Sequence, residues 1–163
     1  MTMLADLEPA SPIEIVRGYL KRAPVNLDEM SSALGLKVQR QFMADDVSGK
    51  IERSGDSYVI TINALHSPTR QRFTQAHEIA HYVLHRDLIG DGIVDDAMYR
   101  SSQLRSELET QANRFAADLL MPVPLVRQAY RTDGIRDLAS LTAKFQVSED
   151  AMRIRLKQIG LAA

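Results

Sequence analysis

The stretch His77-Glu78-Ile79-Ala80-His81 constrains this chain more than any other, because its chemistry requires a helical backbone. In a helix, residues four apart share a face, so His77 and His81 stand one turn apart and can grip the same divalent ion. Glu78 is badly placed to join them as a ligand and well placed to take a proton from a water polarised by that ion. Two imidazoles do not complete a catalytic metal site, which needs a further protein ligand and an open position for water. The chain contains no cysteine, so that ligand must be a histidine or a carboxylate.

His85 continues the line of His77 and His81, but it lies two turns from His77, about 12 Å along the axis, too far to share one ion with both. It is better read as a structural or substrate-edge residue. Tyr82, Val83 and Leu84 follow the motif directly, which excludes the arrangement with a glycine and a third histidine downstream. A carboxylate on another helix remains. The helix expected over Leu104–Leu120 carries an apolar stripe of Leu108, Ala112, Phe115, Ala116 and Leu119, and it offers Glu107, Glu109 and Asp118. Glu109 and Asn113 are four apart, so one can reach the metal while the other hydrogen-bonds a ligand; this favours Glu109, with Glu107 as the alternative.

The rest of the chain supplies an α+β frame. Ser11-Pro12 caps an amphipathic helix ending near Ala23-Pro24, and Asn26 with Glu29 forms a capping box for a second helix closed by Gly35. The period then changes: Val38, Arg40 and Phe42 alternate, and Lys50–Arg53 and Ser57–Asn63 flank the turn Ser54-Gly55-Asp56, predicting a small antiparallel sheet. Ser67-Pro68 launches the motif helix, and three helical patterns fill the tail around Pro124–Tyr130, Ile135–Phe145 and Glu149–Ile159. The expected division is a metal-site core over 1–122 and a helical, helix-turn-helix-like segment over 123–163 packed on it, together one compact unit.

The run Phe73-Thr74-Gln75-Ala76-His77-Glu78-Ile79-Ala80-His81-Tyr82-Val83-Leu84-His85, followed by Glu109-Thr110-Gln111-Ala112-Asn113-Arg114-Phe115-Ala116-Ala117-Asp118-Leu119-Leu120-Met121-Pro122, resembles the ImmA/IrrE family of bacterial and phage metallopeptidases. Both blocks match together, and Ile62-Asn63, Phe145-Gln146-Val147-Ser148 and Met152–Leu156 extend the likeness. The resemblance implies a gluzincin-like zinc endopeptidase with His77, His81 and Glu109 as ligands and Glu78 as general base. It also implies a protein substrate, a helix-turn-helix repressor whose cleavage relieves repression. Related gluzincins often carry Asp where this chain has Asn113, which keeps a hydrogen bond to a ligand but lowers its polarising power. Tyr82, Tyr99 and His85 are the candidate donors to the transition state, and the sequence does not choose among them. Zinc is the expected ion, although other first-row divalent ions suit the same donors.

The competing reading is a non-catalytic docking module for a repressor, toxin or antitoxin with a structural or vestigial metal; an intact Glu78 argues against it, since a structural site needs no base. DNA binding by 123–163 is the weaker alternative for the tail. Its seven basic residues against four acids leave a net charge of +3, but Arg153, Arg155 and Lys157 are too few for a clustered phosphate interface. The whole chain carries a net charge of −1 and so exerts no general attraction on nucleic acid or anionic lipid. Neither a membrane span nor a signal peptide is recognisable, and the lack of cysteine fits the cytoplasm.

Overall fold

The computed structural model describes residues 9–90 and 102–162. Two short helices come first, α1 (Pro12–Gly18) and α2 (Leu27–Ala33). Their starts are dictated locally: the Ser11 hydroxyl accepts from the Glu14 amide and the Asn26 side chain from the Glu29 amide, each satisfying a first-turn donor with no partner inside its helix. α1 stops at Gly18, short of the expected Ala23-Pro24. Gly35, at φ +75°, turns the chain out of α2 into the sheet, a conformation that favours glycine.

The strands are β1 (Leu36–Gln41), β2 (Gly49–Ser54) and β3 (Ser57–Asn63), in the order β1-β3-β2. β2 and β3 form the expected antiparallel hairpin, with Arg53 opposite Tyr58. β1 departs from the all-antiparallel expectation: it lies on the far side of β3 and runs parallel to it, with Leu36 opposite Tyr58 and Gln41 opposite Asn63. Two-residue alternation reveals a strand and its inward face but not which neighbour it joins. The most apolar strand, β3, takes the centre, where Ile60, Thr61, Ile62 and Asn63 are all buried. Phe42, expected to continue the β1 alternation, lies beyond the strand and is exposed.

The long helix α3 (Pro68–His85) packs on this sheet and on α4 (Ser102–Leu120). Ser67 accepts from the Arg70 amide at the start of α3, and Pro68, whose missing N–H costs nothing there, opens the first turn. After Pro122 come α5 (Val123–Arg127), a single wide turn over Gln128–Thr132, α6 (Leu138–Phe145) and α7 (Glu149–Gln158). One cluster of buried side chains runs from Val16 and Met30 through Ile60, Ile79 and Leu119 to Phe145, Met152 and Leu156. Arg155 ties α7 to α4: its Nε donates to the Met121 carbonyl at 2.9 Å and a terminal nitrogen to Asp118 at 2.6 Å. This inward turn removes Arg155 from any surface that could meet DNA, and Glu149 and Asp150 place negative charge at the start of α7. No helix among the described residues is long and apolar enough to cross a membrane.

Candidate metal centre and its cleft

α3 brings His77 and His81 to one face, and α4 crosses that face with Glu109. The Nε2 atoms of the two histidines are 3.1 Å apart, and they lie 3.1 and 2.9 Å from the two carboxylate oxygens of Glu109. Bonds of 2.0–2.1 Å in a tetrahedron put neighbouring donors roughly 3.3–3.4 Å apart, so this triangle fits one zinc-sized ion after an outward adjustment of a few tenths of an ångström. Among the described residues these three form the group able to hold a metal. Glu107 is exposed and outside that group, and Asp118 pairs with Arg155.

The flanking hydrogen bonds orient both imidazoles. His77 Nδ1 lies 2.9 Å from Asn113 Oδ1, an acceptor, so the ring donates there and its Nε2 is turned toward Glu109. His81 Nδ1 lies 3.0 Å from Nδ1 of buried His85, whose Nε2 is 2.7 Å from Gln111 Oε1. His85 therefore sits behind a candidate ligand and off the metal position.

Electrostatics follow from this crowding. The Glu109 carboxyl is held far below the ordinary carboxylate range by hydrogen bonds from His77 and His81, against the pull of burial. Burial opposes charge on both imidazoles. On His77 the bond to Glu109 and the negative charges of Glu78 and Glu109 outweigh it and raise the pKa; on His81 burial prevails, aided by His77 and His85, and the pKa falls. Glu78, buried beside them, is pushed up to about 7, first by burial and then by Glu109, with His77 opposing. Without metal, the proton favoured on His77 stands where a divalent cation would otherwise balance Glu109.

These groups open into a cleft of about 660 Å³ whose other wall is β2 and the loop before it, including Asp46, Val47, Gly49 and Ile51. Asn63 builds that wall. Its buried amide donates to the carbonyls of Val47 at 2.8 Å and Ala44 at 3.0 Å, and its oxygen accepts from the amides of Leu65 at 3.0 Å and Met43 at 3.3 Å. At Gly49 an added Cβ would stand 2.5 Å from the Thr61 carbonyl oxygen and 2.6 Å from Thr74 Cγ2, so glycine lets the edge of the sheet close on the motif helix. Sequence reasoning gave Asn63, Gly49 and Gln111 no site role; only the glycine inside a strand carried a signal, since it commonly marks close backbone approach. Tyr82 packs edge-on against Tyr58 and is absent from the described cleft lining, while Tyr99 lies outside the described residues.

A family profile for the IrrE N-terminal-like domain, peptidase M78, matches residues 32–157. The chain belongs to this family. It is 42% identical over 94 residues to the radiation response metalloprotease IrrE of Deinococcus radiodurans, a match covering 55% of this chain and 28% of that protein. It is 30% identical over 109 residues to the metallopeptidase ImmA of Bacillus subtilis, covering 67% of this chain and 61% of that one. The matches therefore span less than two thirds of either relative. A solved structure of a Mycobacterium tuberculosis transcriptional regulator shares the fold, with a TM-score of 0.60 at 19% identity over 89% of this chain and 45% of its own. In this chain the two blocks that carry the resemblance, the motif helix and the Glu109 helix, are in direct contact.

Proposed function

We propose that the chain is a zinc-dependent endopeptidase that cleaves a protein regulator in the cytoplasm, a helix-turn-helix repressor being the substrate class the family resemblance implies. The observation that carries this reading is the convergence of His77, His81 and Glu109 on one ion-sized position beside buried Glu78, in an open cleft. The two histidines and Glu109 would hold the ion, with Asn113 and His85 orienting the imidazoles. Zinc, when bound there, supplies acidity to a water and polarisation to a peptide carbonyl.

The protein's own part falls first to Glu78. A carboxyl balanced near 7 gives up and takes back a proton easily at neutral pH, and a nearby cation favours its ionised form. Glu78 accepts the proton of the attacking water and returns it to the departing amine. The wall opposite can hold the substrate. β2 is an edge strand, and the Arg53 amide points outward, donating to the Gly90 carbonyl at 2.9 Å. By antiparallel parity the backbone groups of Ile51 and Gly49 face the same way, and an extended peptide can add to such an edge.

The test is Glu78→Gln incubated with zinc and a co-encoded helix-turn-helix repressor. Retained zinc with cleavage abolished is the expected result. Undiminished cleavage would remove Glu78 from the mechanism, and a wild-type protein that binds the repressor without cutting it would leave the docking module in its place.

A further inference from the structure

We propose that Ile89 and Gly90 act as a stop on the open edge of β2: they occupy the lane beside Arg53 and leave a substrate peptide residues 49–51, so that about three of its residues pair before it must turn away. The proposal rests on the peptidase reading and deepens it by naming what limits the extended segment of the substrate.

Backbone parity carries the argument. The Asn63 amide donates to the Ser48 carbonyl, and in the same register Lys50 lies opposite Thr61 and Glu52 opposite Val59. The even-numbered residues of β2 therefore bond to β3, and Gly49, Ile51 and Arg53 face outward. These three outward positions are not alike. The Arg53 amide already donates to the Gly90 carbonyl at 2.9 Å, whereas among the described residues no backbone group pairs with the outward groups of Gly49 and Ile51. A bond of that length sets Gly90 in the lane that a neighbouring strand would fill, roughly 4.8 Å from β2. Two backbones cannot share that lane, and the Arg53 position is only about 7 Å along the strand from Ile51. The open positions are also the ones beside the chemistry. Gly49 and Ile51 line the cleft with His77, Glu78 and His81, as do Ile89 and Gly90, while Arg53 is absent from that lining.

The stop is held at both ends. Ile89 is buried, its backbone is extended at φ −83° and ψ 121°, and its amide donates to the Arg86 carbonyl at 3.2 Å in the turn that follows α3. With one end fixed to that turn and the other to β2, the segment bridges the motif helix and the edge strand, and the buried Ile89 side chain anchors it. Whichever way a peptide runs along β2, one of its ends meets Gly90 and the other does not. Lengthening the two ends of a peptide should therefore have unequal effects.

The experiment uses the full chain with zinc, carrying Glu78→Gln so that bound peptides stay whole, and peptides tiled across the co-encoded helix-turn-helix repressor. Residues are added one at a time to each end of a peptide that binds. At one end, additions past the paired stretch should change Kd by less than about twofold. In the same protein with Ile89→Ala or Ile89→Ser, those additions should tighten Kd about fivefold, the effect of a regained backbone hydrogen bond or two. Amide exchange by NMR tests the stop without peptide. Arg53 should be protected at least about tenfold more than Ile51, should lose that protection in the Ile89 variants while the β3 amides keep theirs, and Ile51 should gain protection when peptide binds. An Arg53 amide as open as that of Ile51, a length dependence that neither Ile89 variant alters, or repressor cleavage by the wild-type protein with no peptide protecting Ile51 would overturn the stop. Peptides that bind with the stated asymmetry, alongside a wild-type protein that does not cut the repressor, would support the stop while removing the peptidase reading.

Discussion

Glu78→Gln also tests the site through folding, before any substrate is needed. Glu78 is pushed from its ordinary 4.5 up to about 7, chiefly by burial, with Glu109 adding and His77 opposing. Each tenfold change in proton affinity is worth about 1.4 kcal/mol, so ionising Glu78 in the metal-free fold costs about 3 kcal/mol relative to the unfolded chain. The folded state holds this proton more tightly than the unfolded one. Its contribution to stability is therefore complete below 4.5 and is lost as pH rises through about 7. Glutamine has nearly the same shape and does not titrate. In urea unfolding with a chelator present, the stability of E78Q relative to wild type should shift by about 2–3 kcal/mol in favour of the mutant between about pH 5 and about pH 8. Saturating zinc should shrink that shift, because a neighbouring cation favours the ionised carboxylate. A difference that stays constant to within about 0.5 kcal/mol over the same range refutes the claim that burial poises Glu78 near neutrality.

The remaining expectations follow from other contacts at and behind the site. Zinc should bind more tightly as pH rises from about 6 to about 8, with release of about one to two protons at the lower end, since the proton favoured on His77 must leave and a nearby cation also favours ionised Glu78; calorimetry in buffers of different ionisation enthalpy measures this, and pH-independent affinity would contradict it. Glu109→Ala should lose stoichiometric zinc on dialysis while Glu107→Ala keeps it; the reverse would make Glu107 the third ligand. Gly49→Ala should cost about 1–3 kcal/mol by forcing the edge strand off Thr74, and a fully stable variant would show that this close approach is unnecessary. Arg155→Ala should destabilise the fold by about 1–3 kcal/mol in thermal or urea unfolding, because it removes the buried tie to Asp118 and the Met121 carbonyl; loss of duplex DNA binding with unchanged stability would return Arg155 to the surface.

What the sequence determined by itself was whatever depends on neighbours within about one helical turn. Ser67 and Pro68 start α3, Asn26 caps α2, and the spacing of His77 and His81 puts two imidazoles on one face whatever the remainder of the chain does. The hairpin of β2 and β3 was equally legible, since its turn joins strands adjacent in sequence. Tertiary structure decided what depends on which surfaces meet. Whether Glu107, Glu109 or Asp118 faced the histidines was set by the packing of α4 on α3, which buries Leu108 and Ala112 and thereby turns Glu109 inward. The parallel placement of β1 was settled by competition for a place beside the apolar centre strand, to which an alternating pattern is blind. The chain from His81 through His85 to Gln111 could not be read at all, because a hydrogen bond between residues far apart in sequence leaves no periodic mark along the chain.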